Sequence, residues 1–213
     1  MIRLLGASIS PFVRKVMVAL EEKGLAYEHV PARPGDPDPA FRAASPLGKI
    51  PALTDGDFAI ADSTAITTYL DAAYPANPVY LSDPKDRARV VFFEKFADTQ
   101  LLPAVIKIFV QRIAMPRFFG GQTDEAVVQA AIEKEIPPVL DHLARFVEGR
   151  TWLMGERFTM ADVACVTAFV NAKYAGWEPD ASRWPTVTAY IARVLARPSF
   201  QKALAADRAM LGG

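Results

Sequence analysis

The chain has 213 residues, 51% of them hydrophobic, and its 24 basic side chains balance its 24 acidic ones. This composition is typical of a folded protein with a sizeable core, arranged as one domain or two modest ones. Without a basic stripe or an acidic tail, the sequence argues against nucleic acid as a partner.

The sequence also indicates the cellular compartment and whether a metal site is expected. No charged segment followed by an apolar one marks a signal peptide, and no apolar run approaches the roughly 20 residues of a membrane span. The single cysteine, Cys165, excludes an internal disulfide framework. The histidines, His29 and His142, are isolated in sequence and do not form a metal-ligand pattern. We therefore expect a cytoplasmic protein with no membrane association and no metal site.

The first third of the chain alternates between strand and helix patterns. Ile2–Ala7 is predicted to be a buried strand, and Pro11–Lys23 a helix that begins at Ser10-Pro11 and stops at Gly24. The predicted elements that follow are a strand over Ala26–Val30, a short helix over Ala40–Ala44, a hairpin of Ile50–Thr54 and Phe58–Ile60, and a helix over 62–73. This order, βαβ-ββα, predicts a four-stranded mixed sheet with helices packed on it.

After Tyr74 the pattern becomes helical. Prolines and aspartates mark a linker, and a long helix is expected from about Arg87, with Pro103 as a possible kink. A break is expected over Pro116–Gln122. The further predicted helices are Thr123–Glu148, bent or divided at Pro137-Pro138, then Thr159–Tyr174, Pro185–Leu195 and Pro198–Ala206.

Four motifs in a fixed order resemble those of the cytosolic glutathione transferases over essentially the full chain. They are Ser10-Pro11-Phe12-Val13-Arg14-Lys15-Val16, Pro46-Leu47-Gly48-Lys49-Ile50-Pro51-Ala52-Leu53, Asp62-Ser63-Thr64-Ala65-Ile66 and Phe158-Thr159-Met160-Ala161-Asp162. The Ser-Pro-Phe start is similar to that of bacterial and tau-like serine-type members, whereas omega-like members have cysteine at the position of Ser10.

This resemblance implies an α/β thioredoxin-like N-terminal domain over residues 1–77, a linker over 78–86 and an all-α domain over 87–213. It also implies a homodimer with a role in detoxification. Glutathione would be the co-substrate and a small hydrophobic electrophile the second substrate. Because a cysteine is missing at position 10, disulfide exchange through a protein thiol is not expected.

The junction from Ser8 to Ser10 is the predicted catalytic feature. A helix N-terminus carries partial positive charge and attracts anions, including thiolates. Ser10 is therefore either a helix cap or the donor of a hydrogen bond to the glutathione thiolate, and the two roles are compatible. Ser8 lies in the same loop and is the alternative catalytic residue.

The other site residues are carried over from the resemblance. The expected glutathione-binding residues are Phe12, Lys49, Ile50, Pro51, Asp62 and Ser63. Ile50-Pro51 matches the family's cis peptide bond, where in the family the backbone pairs with the cysteinyl part of glutathione; the alternative is an ordinary proline at the start of a strand. Asp62 would bind the γ-glutamyl ammonium and Ser63 the carboxylate, with helix capping as the alternative for both. Lys49 either binds the glycyl carboxylate or is a solvated surface lysine.

In the helical half, Thr159 and Asp162 have the spacing of a capping box, which is a structural feature. Cys165 is expected in the core. The residues proposed for the electrophile pocket are Phe109, Arg112, Phe118 and Trp177. We predict a glutathione transferase that activates glutathione as a thiolate. The alternative is a non-catalytic protein of the same fold that binds ligands or other proteins.

Overall fold

The computed structural model describes residues 1–212 and divides into two compact units. The first unit comprises Met1–Leu81 together with the chain from Ala196 onward, and the second is Ser82–Leu195. The last helix therefore packs with the N-terminal unit. The sequence-based boundaries at residues 77 and 87 stay a prediction.

The first unit is built on a four-stranded sheet. Its strands are Ile2–Leu5 (β1), Tyr27–Val30 (β2), Ala52–Asp55 (β3) and Phe58–Ala61 (β4), in the order β2-β1-β3-β4. β1 is parallel to β2 and antiparallel to β3, and β3 and β4 form an antiparallel hairpin. The predicted thioredoxin-like mixed sheet is confirmed.

Four helices pack in this unit. They are Pro11–Lys23 (α1), Pro39–Ala44 (α2), Ser63–Ala73 (α3) and, from the end of the chain, Pro198–Leu211 (α11). α1 has the predicted bounds, with Pro11 in its first turn and a stop at Gly24, whose φ of 68° a glycine adopts without strain. α11 is longer than predicted and packs against α1.

The second unit is all helical. Its α-helices are Pro84–Phe96 (α4), Leu102–Phe109 (α5), Met115–Phe118 (α6), Glu125–Ala130 (α7), Ile136–Val147 (α8), Met160–Tyr174 (α9) and Pro185–Leu195 (α10). α9 lies in the core and contains Cys165, which is buried, as predicted. Across residues 1–212, no helix has the length and apolar character that crossing a bilayer requires.

Three prolines shape the long helices of this unit. Pro103, Pro116 and Pro137 each occupy the second position of an α-helix, and π-helical turns over Ala97–Leu101, Val110–Ala114 and Ala131–Glu135 directly precede them. A proline lacks the N–H group and clashes with the carbonyl four residues earlier, so a wider turn before it relieves the clash. The helix thus continues through Pro116 to Phe118, where the sequence indicates a break.

The capping box at the start of α9 links several buried polar groups of the second unit. One Asp162 oxygen accepts hydrogen bonds from the Leu153 N–H and the Tyr190 hydroxyl, both at 2.8 Å, and the other accepts from the Thr159 N–H at 3.0 Å. Burial raises the pKa of the Asp162 carboxyl, and these three donors oppose that effect. The structural interpretation of this motif is confirmed.

We expect Asp162→Ala to lower the free energy of unfolding by about 3 kcal/mol or more, because three buried donors lose their acceptor at once. Urea unfolding followed by circular dichroism measures this loss. The control is Asp124→Ala, which removes an exposed cap of α7 and should cost about 1 kcal/mol. Equal losses for the two variants would contradict the anchoring role of Asp162.

Candidate functional site

Three loops of the first unit meet at one edge of the sheet. Leu5, at the end of β1, pairs with Ala52 at the start of β3, and Ala52 pairs with Ala61 at the end of β4. The segments that follow β1, precede β3 and follow β4 therefore leave the sheet at the same edge. Adjacent strands lie about 4.8 Å apart, so β1 and β4 are separated by roughly 10 Å.

The first loop follows β1 and packs closely on the second. Gly6 has a φ of 154°, and a Cβ atom there would lie 2.5 Å from Val13 and 3.4 Å from the Cβ of Ile50. Only glycine permits this approach. The ring of His29 makes a 2.8 Å hydrogen bond to the carbonyl oxygen of Gly6. The loop that contains the serines is therefore held between α1 and the segment before β3.

Ser8 and Ser10 have different surroundings. Ser8 is 3% exposed, and its hydroxyl contacts the sulfur of Met210 on α11 at 3.7 Å. Ser10 is half-buried at the N-cap of α1, and its side chain makes no capping hydrogen bond. Within residues 1–212 the Ser10 hydroxyl has no hydrogen-bond partner. The helix begins at Ser10 as predicted, but the side chain does not cap it.

The second loop contains the cis peptide bond between Ile50 and Pro51, which confirms that prediction. Just before this bond, the side chain of the buried Ser45 makes two hydrogen bonds to the backbone of Lys49. The Ser45 hydroxyl donates to the Lys49 carbonyl at 2.6 Å and accepts from the Lys49 N–H at 3.0 Å. The Asp62 N–H donates to the Pro51 carbonyl at 3.3 Å, which joins the second loop to the third.

The third loop ends at the N-terminus of α3. Asp62 has a φ of 82°, a strained conformation that aspartate tolerates better than most residues. Its Oδ1 atom accepts hydrogen bonds from the N–H groups of Thr64 and Ala65 at 2.9 and 3.0 Å. Its Oδ2 atom makes no hydrogen bond within the described part of the chain. Asp62 therefore caps the helix with one oxygen and leaves the other available.

The remaining glutathione-binding candidates lie in the same unit. Ser63 is buried at the first position of α3, and Phe12 is half-buried in the first turn of α1. The Lys49 side chain is exposed, and its ammonium group forms no ion pair within residues 1–212. The edge thus carries a hydroxyl, a carboxylate oxygen and an ammonium group that have no partner among the described residues, together with two helix N-termini.

The four candidates for an electrophile pocket belong to the second unit. Phe109 is buried at the end of α5, Phe118 is 48% exposed and Trp177 is half-buried. Arg112 binds Glu125 through two hydrogen bonds of 2.9 and 3.0 Å and donates to the Ala175 carbonyl. This pairing lowers the pKa of the Glu125 carboxyl. The charge of Arg112 therefore has a partner already.

Two contributors to the first unit's site were not found from the sequence. Nothing in the local sequence marks Ser45, because its two hydrogen bonds to the Lys49 backbone depend on the path of the loop. Arg14, one turn after Ser10, is fully buried and hydrogen-bonded to the Ile9 carbonyl, between the two serines. Its position on the inward face of α1 was the available signal, since a basic residue there needs a buried partner.

The first unit therefore combines a thioredoxin-like sheet with a cis-proline loop and a helix that begins at a serine. Comparison with known proteins shows the family to which this arrangement belongs. Residues 4–78 match the description "Glutathione S-transferase, N-terminal domain", and residues 109–207 match "Glutathione S-transferase, C-terminal domain".

Individual glutathione S-transferases are similar to this chain over nearly its whole length. Glutathione S-transferase 3 of Zea mays is 34% identical, covering 96% of this chain and 94% of its own length. A glutathione S-transferase of Hyoscyamus muticus is 31% identical, covering 95% and 97%. The crystal structure of a glutathione S-transferase from Rhodospirillum rubrum matches with a TM-score of 0.87 at 30% identity, covering 96% of this chain and 92% of its own.

A further solved structure, of glutathione S-transferase-I bound with lactoylglutathione, matches with a TM-score of 0.86 at 28% identity, covering 96% and 99%. This chain belongs to the glutathione S-transferase family. The predicted family, fold class and enzyme class, a glutathione transferase, are confirmed.

The capping role of Asp62 can be tested by substitution. Asparagine retains an oxygen for capping and tolerates a positive φ, so Asp62→Asn should change the free energy of unfolding by less than about 0.5 kcal/mol. Alanine loses the cap and strains the backbone, so Asp62→Ala should cost about 1–2 kcal/mol. Urea denaturation compares them, and equal stability of the two variants would contradict the capping geometry.

Proposed function

We propose that Ser10 donates a hydrogen bond to the sulfur of bound glutathione and so stabilises its thiolate for attack on a hydrophobic electrophile. The observation that carries this proposal is the Ser10 hydroxyl, which has no hydrogen-bond partner within residues 1–212 and lies at the N-terminus of α1. Ser10 acts as a hydrogen-bond donor and is neither nucleophile nor base.

The dimensions of the sheet edge support the placement of glutathione. The roughly 10 Å between β1 and β4 is a distance that a small extended peptide can bridge, so one ligand can reach from the serine loop to the N-terminus of α3. The cysteinyl part pairs with the backbone of Ile50, as an added strand does. Its sulfur then lies at the Ser10 end of the edge, and its γ-glutamyl end lies at α3.

The charged groups at the edge suit the two ends of glutathione. The Oδ2 atom of Asp62 accepts from the γ-glutamyl ammonium, and the N-terminus of α3 at Ser63 binds the adjoining carboxylate. Lys49 binds the glycyl carboxylate, and Phe12 packs against the peptide. The relative solved with lactoylglutathione supports glutathione or a conjugate of it as the ligand.

The energy that this chemistry needs is modest. A free thiol has a pKa of about 8.5, so lowering it by two units requires about 2.7 kcal/mol in favour of the thiolate. A hydrogen bond to a charged group contributes about 1.5–3 kcal/mol, and a helix N-terminus adds about 0.3–1 kcal/mol. Ser10 and the start of α1 together can therefore supply the shift.

The electrophile pocket, the homodimer and the cytoplasmic location belong to the same proposal. The side chains expected to line a pocket for the second substrate are those of Phe109, Arg112, Phe118 and Trp177 in the second unit, and Arg112 is paired with Glu125. Retention on immobilised glutathione followed by a thiol-conjugation assay tests the enzyme against the carrier alternative. Retention without turnover on a panel of electrophiles would favour a carrier.

Replacing Ser10 tests the catalytic assignment. Ser10→Ala should raise the thiol pKa of bound glutathione by one to two units, because about 1.5–3 kcal/mol of hydrogen bonding to the anion is lost. Thiolate absorbance as a function of pH measures this pKa, and glutathione affinity should change little.

Ser8→Ala is the matched control, because Ser8 lies in the same loop but contacts Met210. It should leave the thiol pKa unchanged. If Ser8→Ala raises the pKa and Ser10→Ala does not, the catalytic residue has been assigned wrongly.

Asp62→Asn separates binding from stability. Loss of the carboxylate charge should weaken glutathione binding about tenfold, as expected for a charge-assisted hydrogen bond of about 1.4 kcal/mol, while the fold stays intact. Isothermal titration calorimetry measures the affinity. Unchanged affinity would restrict Asp62 to helix capping.

A further inference from the structure

Arg14 is one of three buried basic residues on α1, with Lys15 and Lys23, and it takes no part in the chemistry proposed above. Arg14 and Asp207 both have fully buried side chains, and Arg14 Nε donates to Asp207 Oδ2 at 2.7 Å. Asp207 lies on α11, so this pair joins the two ends of the chain within the first unit. A buried ion pair adds little net stability compared with apolar side chains of similar size. Stability alone therefore does not account for it.

Arg14 also reaches the loop between the two serines. Its Nη2 atom donates to the Ile9 carbonyl at 3.2 Å. That carbonyl belongs to the same peptide unit as the Ser10 N–H, which donates to the Ala7 carbonyl at 3.0 Å. Both polar atoms of this rigid peptide are thus held. Because Ser10 follows the peptide directly, the position of its Cα is fixed as well.

We propose that Arg14, held by Asp207, is a positioning residue that aims the Ser10 hydroxyl at the glutathione sulfur by fixing the Ile9–Ser10 peptide. This inference rests on the proposed function of Ser10. Its consequence is that α11, from the far end of the chain, takes part in setting the geometry of the catalytic loop. The contact between Ser8 and Met210 brings a second residue of α11 to the same loop.

Arg14→Lys tests the positioning role with the charge retained. A lysine has a single terminal nitrogen, so it cannot reproduce the two separate nitrogens, Nε and Nη2, with which Arg14 bonds to Asp207 and to Ile9. We expect the acid dissociation constant of the bound glutathione thiol to fall about threefold or more, equivalent to a pKa rise of about half a unit. Glutathione affinity should stay within about twofold, since no binding group is removed.

The matched control is a second ion pair between α1 and the start of α11, far along α1 from Arg14. Arg197 forms a bidentate pair with Glu22 at 2.7 and 2.8 Å, remote from the serine loop. Arg197→Lys loosens the docking of α11 on α1 without touching Ile9, so the thiol pKa should not change. If Arg197→Lys raises the pKa as much as Arg14→Lys does, the effect comes from helix docking and the proposal is wrong.

The double variant shows whether Arg14 acts through Ser10. In the Ser10→Ala background, Arg14→Lys should cause no additional rise in the thiol pKa, because two residues acting through one hydrogen bond are not additive. A full additional rise contradicts the proposal.

The remaining outcomes distinguish this inference from the proposed function. Ser10→Ala without effect overturns both. A clear effect of Ser10→Ala beside an unchanged, folded Arg14→Lys overturns the positioning role alone. Should Arg14→Lys fail to fold, Asp207→Asn keeps the shape of the partner and weakens its hold on Arg14. A rise in the pKa of the bound glutathione thiol for Asp207→Asn, smaller than the rise caused by Ser10→Ala, supports the proposal. An unchanged thiol pKa contradicts it.

Discussion

The pairing of β3 with both β1 and β4 is the constraint on which the site depends. Through Ala52 it places the end of β1 and the end of β4 at one edge of the sheet. The serine loop, the cis-proline loop and the N-terminus of α3 come together only because of this register. A slip of one residue would turn each paired side chain to the other face and separate the loops. Gly6 packs so closely on Val13 and Ile50 that a Cβ atom at position 6 has no room, and this packing also keeps the serine loop beside the cis-proline loop.

Features set by short stretches of sequence were predicted well. Proline in the first turn and glycine at the end define α1, and the spacing of Thr159 and Asp162 defines the start of α9. The four strands were found because alternation and turn residues mark them locally. The cis bond at Ile50-Pro51 came from the family resemblance, since its local sequence is that of an ordinary proline.

Features that depend on distant contacts were not predictable. The sequence left Ser8 and Ser10 as alternatives, and what distinguishes them is Met210 of α11, about two hundred residues away. The Arg14–Asp207 pair also joins α1 to α11 across 193 residues of sequence, so local patterns do not reveal it. The sequence names Arg112 as a candidate for the electrophile pocket but does not reveal its ion pair with Glu125, which depends on how the chain folds. The π-helical turns before Pro103, Pro116 and Pro137 show a fourth case, where the sequence indicates strain but not how the backbone relieves it.

A crystal structure of the protein with glutathione bound tests the central claim most directly, because it locates the sulfur and both ends of the peptide together. The account predicts the sulfur within hydrogen-bonding distance of the Ser10 hydroxyl, the cysteinyl backbone beside Ile50 and the γ-glutamyl group at Asp62 and Ser63. A sulfur that lies beside Ser8, or glutathione bound away from this edge of the sheet, would contradict it.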